Sequence, residues 1–186
     1  MNKCIKPDNS WTLFLDRDGV INKKLENDYV KSPEQFEFLD GVPESIKLLS
    51  NIFGRIIIIT NQQGIGKKLM SEQNLSDIHS CMLDIVNKAG GKIDKIYHCP
   101  DLDRTGSKNR KPEVGMGLKA KKAFPEINFK KSIMVGDTPQ DMTFGKKLNM
   151  FTVFIAKDID CFGNQSTKEW DWHFTSLKEF TQWINK

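Results

Sequence analysis

Two aspartates two residues apart, Asp16 and Asp18 in Phe14-Leu15-Asp16-Arg17-Asp18-Gly19-Val20, close an apolar run that begins at Trp11. Carboxylates delivered at the end of a buried strand are hard-metal ligands, nucleophiles or general acids. Residues i and i+2 of an extended chain point the same way, so the pair shares one site if the strand persists. Where the chain has begun to turn, Asp18 offers its carbonyl instead. Gly19 permits the sharp exit. Taken alone the pattern fits a turn as well as a site, because Asp-Gly pairs are common in turns.

Three other stretches complete the chemistry. The run Ile56 to Ile59 is followed by Thr60-Asn61-Gln62-Gln63-Gly64-Ile65-Gly66, which offers a hydroxyl, side-chain amides and glycine-freed N–H groups to a phosphate. The P-loop spacing is absent, and this stretch by itself reads as a strand-to-helix turn. Arg110-Lys111-Pro112 presents cations before a helical pattern, the proline fixing the backbone at its start. Ile133-Met134-Val135 ends in Gly136-Asp137, with Asp141 about one turn into the next helix; Asp137 alone is equally compatible with a helix cap. Together they supply oxygen ligands, a hydroxyl and a lysine, the inventory of a magnesium-assisted phosphoryl transfer. Asp16 and Asp137 would hold Mg2+ with phosphate oxygens and water, Asp18 adding its carboxylate or carbonyl, and no organic cofactor is needed.

The elements that position these residues alternate. Strands are predicted over Trp11 to Leu15, Arg55 to Thr60, Lys92 to His98, Ser132 to Val135 and Met150 to Ile155, with a weaker piece over Trp170 to Phe174. Helices are predicted from Pro43 to Phe53, from a Ser71 cap to Gly90, from Glu113 to Phe124, from Pro139 to Leu148 and from a Ser176 cap to Ile184. This alternation gives an α/β fold, a mostly parallel sheet covered by helices on both faces, in a single domain over 1–186. The segments Asn22 to Asp40 and Pro100 to Asn109 carry no periodicity and read as loops. Loops at the strand C-termini form the ligand crevice of such sheets.

Composition narrows the class. A chain of 186 residues buries a core without staples, and 28 Lys and Arg against 24 Asp and Glu, dispersed along it, hints at an anionic ligand without specifying one. Cys4, Cys81, Cys99 and Cys161 form no C-x-x-C pair and no charged-then-apolar leader precedes the first strand, so a reducing cytoplasm is expected. No apolar run approaches membrane-spanning length.

At these residues the chain resembles the haloacid dehalogenase-like phosphatases, whose four motifs appear in order as Asp16-Arg17-Asp18-Gly19, Thr60, Lys111 and Gly136-Asp137 with Asp141. Within them it is similar to the heptose bisphosphatase and histidinol-phosphatase group, through Tyr29 to Phe38, Asp40-Gly41-Val42, Thr60-Asn61-Gln62 and Arg110-Lys111-Pro112. The resemblance implies a Rossmann-like three-layer core without a large cap, acting on a small phosphorylated sugar, D-glycero-D-manno-heptose 1,7-bisphosphate, at its 7-phosphate. It implies that Asp16 is the nucleophile, Asp18 the general acid and base, and Thr60 and Asn61 the phosphoryl binders, with Gln62 beside them. Lys111 would offset charge, Asp137 would complete the magnesium site, and Asp141 would orient Lys111 or a metal-bound water. Arg110 matches a second phosphate, because a guanidinium fork fits phosphate oxygens.

One departure stands out. Many members carry C-x-H and C-x-C zinc ligands before the R-K-P, where this chain has Cys99-Pro100-Asp101 and Ser107-Lys108-Asn109. No structural zinc is therefore expected, and the loop that shapes the crevice is altered. Histidinol phosphate, a nucleic-acid 3'-phosphate, and a phosphate-binding module without catalysis are the competing readings. Nucleic acid is disfavoured by the absence of a basic stripe interleaved with exposed aromatics. Oligomeric state is not legible.

Overall fold

The computed structural model describes residues 5–157 and 170–186, so Cys4 and Cys161 lie outside the described residues. Six strands, β1 (Thr12–Leu15), β2 (Arg55–Asn61), β3 (Lys95–Cys99), β4 (Ser132–Gly136), β5 (Phe151–Ile155) and β6 (Trp172–Phe174), form one sheet in the order β3-β2-β1-β4-β5-β6. Every pairing is parallel, with β1 between β2 (Leu15 opposite Ile58) and β4 (Leu15 opposite Val135).

Strand alternation divides the core into two layers. Leu13, Leu15, Ile56, Ile58, Ile133 and Val135 face one side, and Phe14, Ile57, Ile59 and Met134 the other. The first side packs on α1 (Val42–Ile52), the C-terminal half of α3 (Glu72–Lys88) and α6 (Leu177–Ile184) through Ile46, Leu49, Met82, Val86, Leu177 and Phe180. The second packs on α4 (Gly115–Ala123) and α5 (Pro139–Lys147) through Met116, Ala120 and Phe144. Leu13, Phe14 and Leu15 are fully buried, each contributing roughly 1.5–3 kcal/mol by leaving water. This double covering is why the strands read as continuous apolar runs.

The expected elements form, with local differences. The ladder of β3 opens at Lys95 rather than Lys92, because the Asp94 carboxylate takes the Ile56 N–H at 2.8 Å. Helix α4 starts at Gly115, since residues after Pro112 first complete a turn in which Glu113 N–H donates to Arg110 C=O at 2.7 Å. Pro112 thus precedes the helix instead of opening it. A four-residue helix, α2 (Gln63–Gly66), is too short to carry a period, and its glycines serve that turn: Gly64 is buried under Tyr29 and Met70. The loops at 22–40 and 100–109 each hold a single 3-10 turn, Pro33–Gln35 and Asp103–Thr105, and the first is pinned at its ends by an antiparallel bridge between Asn22 and Phe38.

The Ser71 cap is present, its hydroxyl accepting the Asn74 N–H at 3.0 Å while Asn74 Oδ1 accepts the Ser71 N–H at 2.9 Å. The aromatic strand β6 is internal packing: Trp172 lies 5.6 Å from Phe151 and 5.4 Å from Trp183 between ring centroids. Among the described residues no helix is long and apolar enough to cross a membrane.

Candidate active site

The chain runs outward from β1 through β2 to β3, then returns to place β4 on the other flank of β1. At that switch point the loops leaving β1 and β4 separate and leave a crevice beyond the strand ends. Asp16 follows β1 and Asp137 follows β4, so the sheet order itself brings them together. Asp16, Asp137 and Asp141 each offer a carboxylate oxygen within 4.8 Å of the others.

Lys111 ties this group to the rest of the site. Its Nζ lies 2.8 Å from Asp16 Oδ1 and 2.6 Å from Asp141 Oδ1, and donates to the Ile59 carbonyl at 2.7 Å. Burial would lower the lysine, but Asp141 and Asp16 more than offset it and hold Lys111 above its usual range. It stays charged. For Asp16, burial dominates, opposed by Lys111 and reinforced by Asp141 and Asp137, so its carboxyl is pushed above the carboxylate range. Asp16 Oδ1 also accepts the Arg17 N–H at 2.7 Å, which leaves Oδ2 without a partner among the described residues.

Asp141 has a second task. Its Oδ2 accepts the Thr138 N–H at 3.1 Å and the Thr138 hydroxyl at 2.6 Å, capping the start of α5. Gly136 is needed for this approach, since a Cβ there would collide with the Asp141 side chain. Gly19, at φ 90°, would likewise drive a Cβ into the Asp137 carboxylate. Asp137 is raised chiefly by burial, opposed by Lys24, whose Nζ sits 2.9 Å from Oδ2. Its other oxygen, Oδ1, is buried without a hydrogen bond. Three carboxylates facing two lysines, with Asp16 Oδ2 and Asp137 Oδ1 left without hydrogen bonds among the described residues, fit a small divalent cation with oxygen preference.

Asp18 is turned elsewhere. The Arg17 Nη2 lies 3.0 Å from both carboxylate oxygens, Asn22 donates to Oδ1 at 3.0 Å and Gln62 to Oδ2 at 2.8 Å. Burial alone would raise Asp18, but the Arg17 charge and these hydrogen bonds outweigh it and hold the carboxyl low. The side chain expected among the metal ligands is therefore not in the carboxylate group, and Asp141 is, because Arg17, Asn22 and Gln62 hold Asp18 on the opposite side. Arg17 Nη1 continues to His79 Nε2 at 3.2 Å. Burial, then Arg17, lowers His79 to about 3, so the ring is neutral and accepts that bond.

Of the phosphate binders, Thr60 is buried at the end of β2, where its hydroxyl accepts from Gln62 at 2.9 Å. Gln62 is also buried, and its amide is committed to Thr60 and Asp18 rather than exposed for substrate. Asn61 spends both ends of its side chain on the Lys111 backbone, donating to C=O at 3.1 Å and accepting N–H at 3.0 Å. These two amides are struts, which the sequence did not distinguish from ligands. Arg110 lines the crevice, a cavity of about 430 Å³ that also contacts Asp16, Asp18, Lys24, Tyr29 and Lys67. Arg17, Asn22, Lys24 and His79 were missed by sequence reasoning; the only signal was proximity of the first two to Asp18.

A parallel sheet with this strand order, an aspartate after β1, a hydroxyl after β2, a buried lysine and further acids after β4 define a phosphatase of the haloacid dehalogenase-like class. The family model described as Polynucleotide kinase 3 phosphatase matches residues 13–171, and the chain belongs to this family. It is 38% identical, over 94% of its length and 95% of the relative's, to a D-glycero-alpha-D-manno-heptose-1,7-bisphosphate 7-phosphatase of Campylobacter jejuni. With a D-glycero-beta-D-manno-heptose-1,7-bisphosphate 7-phosphatase of Rhodopseudomonas palustris it shares 34% identity over 82% of this chain and 87% of the other. Among solved structures, a D,D-heptose 1,7-bisphosphate phosphatase from B. bronchiseptica complexed with magnesium and phosphate superposes with a TM-score of 0.84 at 23% identity, covering 94% of this chain and 97% of that one.

Proposed function

We propose that this phosphatase removes the 7-phosphate of D-glycero-D-manno-heptose 1,7-bisphosphate through an aspartyl-phosphate on Asp16. The observation that carries the chemistry is the contact of Lys111 with both Asp16 and Asp141 beside a third carboxylate, Asp137. The relatives' names carry the substrate.

Asp16 Oδ2, without a partner among the described residues, attacks phosphorus; the ester P–O bond breaks and the sugar oxygen leaves with a proton from Asp18. Water then attacks the acyl phosphate, Asp18 takes its proton, and inorganic phosphate and free Asp16 are restored. Asp18 must release Arg17 and gain a proton before the first step, since the nest of Arg17, Asn22 and Gln62 favours its ionised form. Lys111 keeps Asp16 available as a carboxylate and offsets charge on the transferring group. Mg2+ would be held by Asp16, Asp137 and Asp141, with the Asp18 carbonyl as a further candidate, and would neutralise phosphate oxygens. Asp141 would then serve both lysine and metal.

A nucleic-acid 3'-phosphate is the second reading, favoured by the name of the matching family model. The β6 aromatics lie in internal packing and offer no stacking platform, which favours the sugar phosphate. The test is phosphate release from both heptose 1,7-bisphosphate anomers, histidinol phosphate and 3'-phosphorylated DNA, each with and without Mg2+. A heptose bisphosphate should lead by kcat/KM. Asp16→Asn should reduce turnover at least about 10³-fold, and full activity in that variant would refute the covalent route.

A further inference from the structure

The loop from Pro100 to Asn109 closes on itself through side chains that the metal group does not use. Asp101 Oδ2 accepts a short hydrogen bond from the Ser107 hydroxyl and a second, at 3.5 Å, from the Cys99 thiol. Cys99 Sγ and Ser107 Oγ are 3.8 Å apart, and Ser107 Oγ accepts the Asn109 N–H at 3.2 Å. Burial is the main reason the Cys99 thiol is pushed up, so it remains a neutral S–H that donates. Three side chains thus join the end of β3 to the far limb of the loop.

Arg110 hangs from both limbs of this clasp. Its N–H donates to the Ser107 carbonyl at 3.3 Å, and its Nη1 to the Asp101 carbonyl at 3.4 Å. Its Nε donates to Asp103 at 3.2 Å. The side chain is 11% exposed and lines the same cavity as Asp16. Nη2 carries no protein partner among the described residues. An arginine side chain has many rotamers to lose, and a fork held in advance loses less of that freedom on binding.

We infer that Asp101 and Ser107, latched by Cys99, are positioning residues that hold Arg110 for the second phosphate of the substrate. The clasp needs no metal: a carboxylate, a hydroxyl and a thiol satisfy one another. This inference rests on the bisphosphate reading above, and the experiment separates the two.

Ser107→Ala, Ser107→Thr and Arg110→Ala are compared for kcat and KM on heptose 1,7-bisphosphate and on phenyl phosphate, which has no second phosphate. Ser107→Ala should raise KM for the bisphosphate about fivefold with kcat little changed, and leave KM for phenyl phosphate as it was. Ser107→Thr, which keeps the hydroxyl, should restore the bisphosphate KM. In the double variant with Arg110→Ala, Ser107→Ala should add nothing. If Arg110→Ala raises the bisphosphate KM and Ser107→Ala does not, the clasp has no positioning role. Equal rises for both substrates would make the clasp merely structural and overturn the inference. If Arg110→Ala leaves the bisphosphate KM unchanged while hydrolysis persists, the second-phosphate reading is what fails, and the clasp's role falls with it.

Discussion

Arg17 and Asp18, neighbours in the chain, form a two-point ion pair in which one guanidinium nitrogen lies 3.0 Å from each carboxylate oxygen. Arg17 is 1% exposed and its other terminal nitrogen is taken by neutral His79. Arg17→Met leaves Asp18 largely buried without its cation. The expected cost is about 3 kcal/mol in urea unfolding, with the acidic limb of the pH–rate profile moving to higher pH as Asp18 becomes easier to protonate. An unchanged unfolding midpoint would show the pair to be dispensable.

Lys111→Met removes the cation shared by Asp16 and Asp141. Two buried carboxylates then face each other uncompensated, so stability should fall by roughly 3–5 kcal/mol. Turnover at neutral pH should fall at least about 100-fold even where the protein is folded, as judged by circular dichroism at low temperature. Retained turnover in folded protein would remove Lys111 from the chemistry.

Metal removal should couple stability to pH. Burial, against Lys111 and together with Asp141 and Asp137, pushes Asp16 from 3.8 up to about 7. A carboxyl raised on folding stabilises most when protonated; its contribution is complete below 3.8 and lost as pH rises through about 7. In EDTA, this group lowers the melting temperature between pH 6 and 8. Asp18, held below its usual value, acts oppositely, stabilising above 3.8 and losing that contribution only in acid. Mg2+ at about 100 times its Kd should return about 2.7 kcal/mol at pH 8. Thermal melts across pH with EDTA or Mg2+ check this, and a metal-free melting temperature that climbs from pH 6 to 8 contradicts it.

Gly19→Ala places a methyl group at φ 90° against the Asp137 carboxylate. The backbone strain should cost about 1–3 kcal/mol. Displacement of Asp137 should raise the Mg2+ concentration for half-maximal activity about tenfold, read by titration. A variant that melts lower but needs no more Mg2+ would limit Gly19 to the turn.

The strand ends were legible because a buried parallel strand announces itself by an apolar run, and the carboxylate that terminates it interrupts the run. Asp16 and Asp137 could therefore be found, and the parallel order then set them side by side. Asp141 was visible through helical spacing. What sequence could not separate was a ligand from a strut: Asn61 and Gln62 share type and place with phosphate binders, but the Lys111 backbone occupies the Asn61 amide, and Asp18 and Thr60 occupy the Gln62 NH2 group. Lys24 and His79 reach the site from a loop and from the middle of α3, with no local pattern to mark either. The start of α4 was misplaced because Pro112 serves as well before a turn as within a helix.

The two oxygens of Asp141 carry different obligations, one to the first turn of α5 and one to Lys111. Evolution therefore has little room to trade at this position. Asparagine keeps an acceptor for Thr138 but discards the charge Lys111 answers to, and glutamate keeps the charge on a longer arm, beside a Gly136 that exists to admit a short one. A replacement that removes both oxygens therefore loosens the start of α5 and strips Lys111 of a counter-ion at once, and only asparagine separates the two, keeping the cap while giving up the charge.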